Sequence, residues 1–570
     1  MSCDKLIFHA PGICPHCQMA LIPASEQYTR SKEDQVTQLL KAYNYDTVPG
    51  LALGIIKHGE LIFAKGYGSA NLDYEIPNTP NSRFYIGSMA KQFTGAALVK
   101  LSSEGKIDFH APIQTYLPDF PVYDHPITVQ HIIHHTSGIR GTSSMQLIAG
   151  IEKNFEEYFS ANMQYEMIKA QKSLNFIPGS EYRYSSGGYI ILAKVVEAIS
   201  GISFREYLNI HFFQPLGMDQ TFVIDDHQEV VKDRVISYFP THSGEFKRRS
   251  MIFDGMGDGS ILTTVSDLAK WDRAFYEDAL LHIPQFAARM YEVGILNSGD
   301  SLDYAKALQV RQYKGLQMIH HNGGMLGFRA DMIRFPHQAF SVIVLANHAS
   351  VHSTGIALKI ADIYLKDVFT HSASSENPEP ASPLLNRDLQ SLTGKYFNHD
   401  VNRWDRITTD HGKLYVDGGN LAARTLLLPL ENKRFRAYET DIKFNFEKEK
   451  LIKDYGSHQH TLIRFDPTPP QNLNELKPFE GTYYSSELRT HYQFYSKGAK
   501  FFMRVNSTEP IILFPDPTDS RINWNSRDMV WVGYAMIRFL QDRNQKVVGF
   551  EIGDNRVKGI LFEKLENQQK

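Results

Sequence analysis

Cysteine is nearly absent from this chain of 570 residues: Cys3, Cys14 and Cys17 are its only thiols, all within the first seventeen positions. Everything after residue 17 therefore holds no disulfide and must fold by burial alone. An excess of charge is also missing. Sixty Lys and Arg against 63 Asp and Glu leave a formal net charge of -3, which gives no electrostatic reason to expect nucleic acid or an anionic membrane as partner. No apolar run approaches the ~20 residues that span a bilayer. Met1-Ser2-Cys3-Asp4-Lys5 does not open onto the basic stretch and apolar core of a secretory leader. The expectation is a soluble, cytoplasmic protein. Its length sets a prior of about three or four structural units.

Residues 1–30 crowd Cys3, His9, Cys14, His16 and Cys17 into a segment too short for a core. Three thiols and an imidazole, with Cys3, His9, Cys14 and Cys17 as the set, could hold zinc or another heavy metal tetrahedrally, although the usual second C-x-x-C is missing. Cys14-Pro15-His16-Cys17 also reads as a redox pair, but no βαβ unit follows it. A disulfide and an inert tail are the remaining readings. The stretch from Pro11 to Leu21 resembles the short cysteine-rich heavy-metal-binding segments attached to metal-handling proteins, departing from them at Gln18.

Patterned sequence begins at residue 31. Val36, Leu39, Leu40 and Tyr43 fall on one face of a helix over 31–43, and the apolar runs 51–56 and 61–67, joined by Lys57-His58-Gly59-Glu60, predict a β-hairpin. Next comes Ser88-Met89-Ala90-Lys91, at the mouth of an apolar helix. The i, i+3 spacing places hydroxyl and amine on one helical face. A helix N-terminus favours an alkoxide over an ammonium, and a buried lysine in such a place tends to lose its proton. The pair is then a nucleophile carrying its own base. Alone, S-x-x-K is a weak signal, because a capping serine followed by a solvated lysine is spelled the same way.

Further along, His131, His134 and His135 precede Thr136-Ser137-Gly138 and read as a helix cap and turn rather than a metal site, since no carboxylate accompanies them. Tyr184-Ser185-Ser186 lies on a turn-rich loop that feeds a helix over 190–199, placed either to project hydroxyls into a cleft or to pack a ring. Residues 257–268 lead into another helix, with Ser266 or Asp267 near its N-cap. His321-Asn322-Gly323-Gly324 interrupts a strand with glycines, which lets backbone approach a ligand closely. Strands over 329–335 and 340–346 and a helix over 355–364 follow.

Together these segments resemble the serine β-lactamase and penicillin-binding-protein superfamily over about residues 31–366, in particular its class C-like branch of esterases, D-aminopeptidases and D-alanyl-D-alanine carboxypeptidases. Ser88-Met89-Ala90-Lys91 stands for S-x-x-K, Tyr184-Ser185-Ser186 for Y-x-N and His321-Asn322-Gly323 for K-T-G or H-x-G, in the family's order. His135-Thr136-Ser137-Gly138 and Pro215-Leu216-Gly217-Met218 match as well. The resemblance implies Ser88 as nucleophile, Lys91 and Tyr184 sharing its proton, and the backbone N–H groups of Ser88 and Gly324 as oxyanion hole. Ser186, Asn322 and Gly323 would meet the substrate, with no catalytic cofactor. Ser186 replaces the usual asparagine; it is shorter and cannot supply both amide functions, which bears on β-lactam turnover more than on acyl transfer in general. His321 replaces a lysine. If its cation holds a substrate carboxylate, activity should fall as pH rises through its pKa.

Residues 371–388 read as a linker rich in proline and serine. Beyond it Leu392-Thr393-Gly394-Lys395-Tyr396-Phe397 recurs as Phe479-Glu480-Gly481-Thr482-Tyr483-Tyr484. The repeat predicts two successive antiparallel β-barrels, over 389–466 and 474–570. A multidomain α+β chain is thus expected: the cysteine segment 1–30, a β-lactamase-like domain over 31–370 with an antiparallel sheet flanked by helices, and the two barrels. That architecture is similar to the D-aminopeptidases, in which a loop of the second barrel reaches the active site; residues 514–520 are the candidate loop here. The function implied is a serine acyl hydrolase, first a D-stereospecific aminopeptidase or amidase acting on a small molecule or short peptide. An esterase or D-alanyl-D-alanine carboxypeptidase is the alternative within the class, and a catalytically silent peptide- or cell-wall-fragment-binding protein the alternative outside it. A homodimer is allowed for.

Overall fold

The computed structural model describes two short strands, Gly12–Ile13 and Ala20–Leu21, and residues 31–151, 158–241, 243–369, 386–398, 403–418, 424–430, 433–437, 442–454, 459–465, 467–515, 522–526 and 528–566. Cys3, His9, Cys14 and Cys17, with the metal, redox and tail readings attached to them, lie outside the described residues, as do most of the 371–388 linker and of the 514–520 loop.

The first body is built on a six-stranded antiparallel sheet. Its strands are β1 (Leu51–Lys57), β2 (Glu60–Tyr67), β3 (Gln309–Tyr313), β4 (Leu316–Met325), β5 (Phe328–Phe335) and β6 (Phe340–Ala346), in the order β3-β4-β5-β6-β1-β2. His58 (φ 51°) and Gly59 (φ 80°) both take the left-handed conformation between β1 and β2, the geometry of a two-residue hairpin turn whose twist matches the strands. Side-chain alternation sends the central strands to two cores. Leu53, Ile55, Val342 and Val344 pack with Val36 of helix α1 (Lys32–Leu39), with Leu40 that caps it and with Ile356 and Ile360 of a C-terminal helix, whereas Ala52, Ile343 and Leu345 face the larger core that includes Phe93.

Four more helices of this body are α2 (Lys91–Ser103), α3 (Ser186–Ser200), α4 (Val265–Arg273) and α5 (Ser353–Leu365), the last being that C-terminal helix. Phe93 of α2 packs its ring, tilted by 40°, 4.5 Å from that of Trp271 of α4, and the Trp271 indole donates to Gln92 at 2.6 Å. Thr264, not Ser266 or Asp267, caps α4 by accepting from the Asp267 N–H; an extended threonine one residue before the helix reaches that donor best. The helix N-terminus at 88 also differs from expectation, for Gly87–Ala90 form a 3₁₀ turn and the α-helix begins at Lys91.

The tail corrects the expectation of two closed barrels. Eight strands, from Gly394–Asn398 to Gln459–Phe465, do close, around a separate core that includes Leu414, Val416 and Phe444. The second unit is an open nine-stranded sheet whose edge strands are Ile511–Phe514 and Ile522–Ser526. Its inner face need not be sealed by closure, because Tyr492, Val505 and Phe562 belong to the same apolar cluster as the large core of the first body. The sequence repeat itself is real in three dimensions. Tyr396 donates to the Leu392 carbonyl at 3.0 Å, and Tyr483 makes the equivalent bond to Phe479 at 2.8 Å.

Candidate active site

Ser88 sits second in the 3₁₀ turn, and Lys91 follows three residues on. Side chains at i and i+3 eclipse in a 3₁₀ turn, so the ammonium or amine is delivered to the hydroxyl: Lys91 Nζ donates to Ser88 Oγ at 3.1 Å. Lys91 is fully buried and Ser88 half-buried. Lys91 Nζ also donates to the Asp258 carbonyl, while Thr94 Oγ1 donates to the neighbouring Gly257 carbonyl at 2.7 Å. Two successive carbonyls of one loop are therefore pinned to the start of α2. Burial pushes the Asp258 carboxyl up, against the opposing pull of Lys91.

Strand β4 presses against this turn. A Cβ on Gly323 would stand 1.9 Å from the Ile86 carbonyl oxygen, and one on Gly87 (φ 52°) would stand 2.8 Å from the Gly324 nitrogen. Glycine at both positions is what allows backbone of the strand to lie beside the turn that carries Ser88. Asn322 and Gly324 are exposed along the same edge.

Tyr184 closes the other side. Its ring lies 5.2 Å from Lys91 Nζ, 6.3 Å from the His321 ring and 4.1 Å from the His135 ring. Its hydroxyl is buried with no hydrogen-bond partner among the described residues. His321 Nδ1 lies 2.7 Å from the Asn322 carbonyl and Nε2 3.0 Å from the Tyr304 hydroxyl. A carbonyl only accepts, so the imidazole proton is on Nδ1, and Tyr304 donates to Nε2. Burial, then Lys91, lowers the His321 pKa to about 3. At that value the imidazole is neutral near pH 7, because it is buried beside Lys91 instead of facing water.

Residues 36–364 match the family model named Beta-lactamase. The chain belongs to the beta-lactamase family. Penicillin-binding protein 4* of Bacillus subtilis is 25% identical over 443 residues, 71% of this chain and 92% of that protein. A D-aminopeptidase of Gluconobacter oxydans is 26% identical over 446 residues, 77% of this chain and 80% of its own. A penicillin-binding protein homologue from Pyrococcus abyssi, described as octameric, shares the fold with a TM-score of 0.53 and 20% identity, covering 85% of this chain and 98% of its own.

Within this beta-lactamase family member Ser88, Lys91, Tyr184 and His321 converge. Ser186 opens α3 and makes no hydrogen bond to Lys91 among the described residues. The histidine run serves structure: His131 completes a capping box with Thr128, His134 lies between the Gln130 and Glu292 carbonyls at 3.1 and 3.3 Å and gives its single N–H to one of them, and His135 (φ 59°) accepts from the Ser185 N–H at 3.2 Å. Motif reading missed Tyr304 and Arg556, whose guanidinium stands 5.5 Å from the Tyr184 ring. Neither has a local sequence signal, as both arrive from distant segments.

Asp226, His227 and Asp254 bring ligand-type atoms within 4.8 Å of one another and include none of the cysteines. Asp254 is already engaged by His227 at 2.8 Å and Tyr158 at 2.7 Å. Among the described residues no single helix is long and apolar enough to cross a membrane.

Proposed function

We propose that the chain is a serine acyl hydrolase that works through an acyl-enzyme on Ser88, in the first place a D-stereospecific aminopeptidase or amidase. The observation that carries this reading is the 3.1 Å bond from Lys91 Nζ to Oγ of the half-buried Ser88, with the Tyr184 ring 5.2 Å from the same nitrogen. Ser88 Oγ attacks the substrate carbonyl while Lys91 and Tyr184 share its proton, which then passes to the leaving amine or alcohol. The backbone N–H groups of Ser88 and Gly324 receive the developing oxyanion; such a donor is typically worth ~3 kcal/mol in the transition state. Water then repeats the attack on the acyl-serine, with the same groups taking its proton. Neutral His321 holds the β4 edge in place instead of binding a carboxylate. The similarity to D-aminopeptidases supports the choice of amine-releasing substrates.

Labelling by a fluorophosphonate tests the nucleophile: wild type should label and Ser88→Ala should not. A panel of D- and L-amino-acid amides and p-nitrophenyl esters tests the class. Faster turnover of D-alanine amide than of the esters, with L-amides inert, supports the aminopeptidase reading, whereas esters alone turning over makes the chain an esterase. A wild-type chain that never labels is a peptide-holding module.

A further inference from the structure

One turn of the open C-terminal sheet, residues 554–559, is clamped into the catalytic body from several sides. It joins strands Val547–Gly553 and Ile560–Lys564. The Arg556 carbonyl accepts from the Gly141 N–H at 3.1 Å and from Asn175 Nδ2 at 2.9 Å, and the Lys558 N–H donates to Asn175 Oδ1 at 2.7 Å. Arg183 donates to the Asn555 carbonyl at 3.1 Å. Asp554 accepts from Ser144 Oγ at 2.5 Å and from the N–H groups of Arg556 and Val557 at 2.7 and 2.9 Å, which ties the turn to itself and to the body at once.

So much backbone anchoring fixes where the Arg556 side chain starts. Its guanidinium ends 5.5 Å from the Tyr184 ring, on a residue that stays half-exposed. Its basic neighbours are spoken for: Arg140 pairs with Glu487, and Lys558 and Arg183 pair with Glu181. Among the described residues no carboxylate stands within ion-pair distance of Arg556. Nor does His321 supply positive charge here, since it is neutral. An arginine is permanently charged and offers a planar fork of donors matched to a carboxylate. The Asp554 carboxyl of the same turn feels the Arg556 charge without pairing with it, being held by Ser144 and by two backbone N–H groups.

We infer that Arg556 is a specificity-determining residue that binds a carboxylate of the substrate, making the favoured substrates anionic acyl compounds rather than their neutral counterparts. The inference rests on the acyl-hydrolase reading and adds the substrate class. The turn that carries Arg556 lies between the last two strands of the sheet, apart from the 514–520 loop, most of which lies outside the described residues.

The test uses the full chain and two matched substrate pairs. D-alanyl-D-alanine against D-alanyl-D-alaninamide places the carboxylate on the leaving side; N-succinyl- against N-acetyl-D-alanine p-nitroanilide places it on the acyl side. In at least one pair the wild-type anionic-to-neutral ratio of kcat/KM should exceed one and fall with added salt. Arg556→Gln should lower that ratio about ten-fold or more, consistent with loss of one charged hydrogen-bonded contact. Arg556→Lys should fall between, and Arg556→Glu should invert the preference. Ratios at or below one in both pairs, or a ratio that Arg556→Gln leaves unmoved, overturn the inference. Fluorophosphonate labelling of the same proteins separates the two failures: labelled Ser88 with an unmoved ratio sinks only the role of Arg556, while an unlabelled wild type sinks the acyl-hydrolase reading beneath it.

Discussion

Tyr304 donates its hydroxyl hydrogen to His321 Nε2 at 3.0 Å, and the Asn322 carbonyl takes the proton on Nδ1. Both ring nitrogens of the neutral imidazole are therefore satisfied. Replacing Tyr304 by Phe removes the donor and strands a buried acceptor, which should destabilise the protein by ~1–3 kcal/mol. Urea unfolding of Tyr304→Phe beside wild type measures it; an unchanged midpoint would show that the bond contributes nothing.

His321 should leave no mark on the pH–rate profile near neutrality. With its pKa held at about 3 by burial, no limb due to its titration is expected between pH 5 and 9, and the profiles of wild type and His321→Gln should have the same shape there, whatever the loss in amplitude. A limb near pH 6.5 present only in wild type would contradict this.

Stability should depend on pH in a definite direction. Burial lowers His321 to about 3 and both His134 and His348 to about 4, against about 6.5 in an unfolded chain. Between those values the unfolded state binds more protons, so stability rises with pH. The contribution is complete above about pH 6.5 and is lost progressively as pH falls toward 4 and then 3. Thermal melts across pH 4–8 should show Tm dropping below 6.5.

Gly323→Ala should be severe. The added methyl meets the Ile86 carbonyl oxygen at 1.9 Å, so strand β4 or the nucleophile turn must move. A shift of about 1 Å at reacting groups can cost ~100-fold in rate. The expected outcome is a fall in kcat/KM of about that size, together with slowed fluorophosphonate labelling of Ser88.

Docking of the C-terminal sheet depends on a buried ion pair. Arg140 Nη1 lies 2.6 Å from Glu487 Oε2, with both side chains largely out of water. Glu487→Ala leaves a guanidinium buried without its anion and should cost ~3 kcal/mol or more. Removing both charges, in Arg140→Met with Glu487→Met, should recover part of that loss; a double variant as unstable as the sum of the singles would deny the coupling.

Local spacing determined much of this protein in advance. The i, i+3 spacing of Ser88 and Lys91 brings hydroxyl and amine together in either an α or a 3₁₀ turn, the hairpin at His58-Gly59 follows from two residues that tolerate positive φ, and the Tyr396 and Tyr483 bonds repeat because the residues around them repeat. Tertiary structure alone decided the rest. The charge state of His321 depends on its burial and on Lys91 beside it, the open edge of the last sheet on the apolar face that the first body offers it, and the position of Arg556 on bonds to Gly141 and Asn175, far away in the chain. Chain neighbours fix conformation through short-range sterics, whereas burial and charge are set by whatever folds on top.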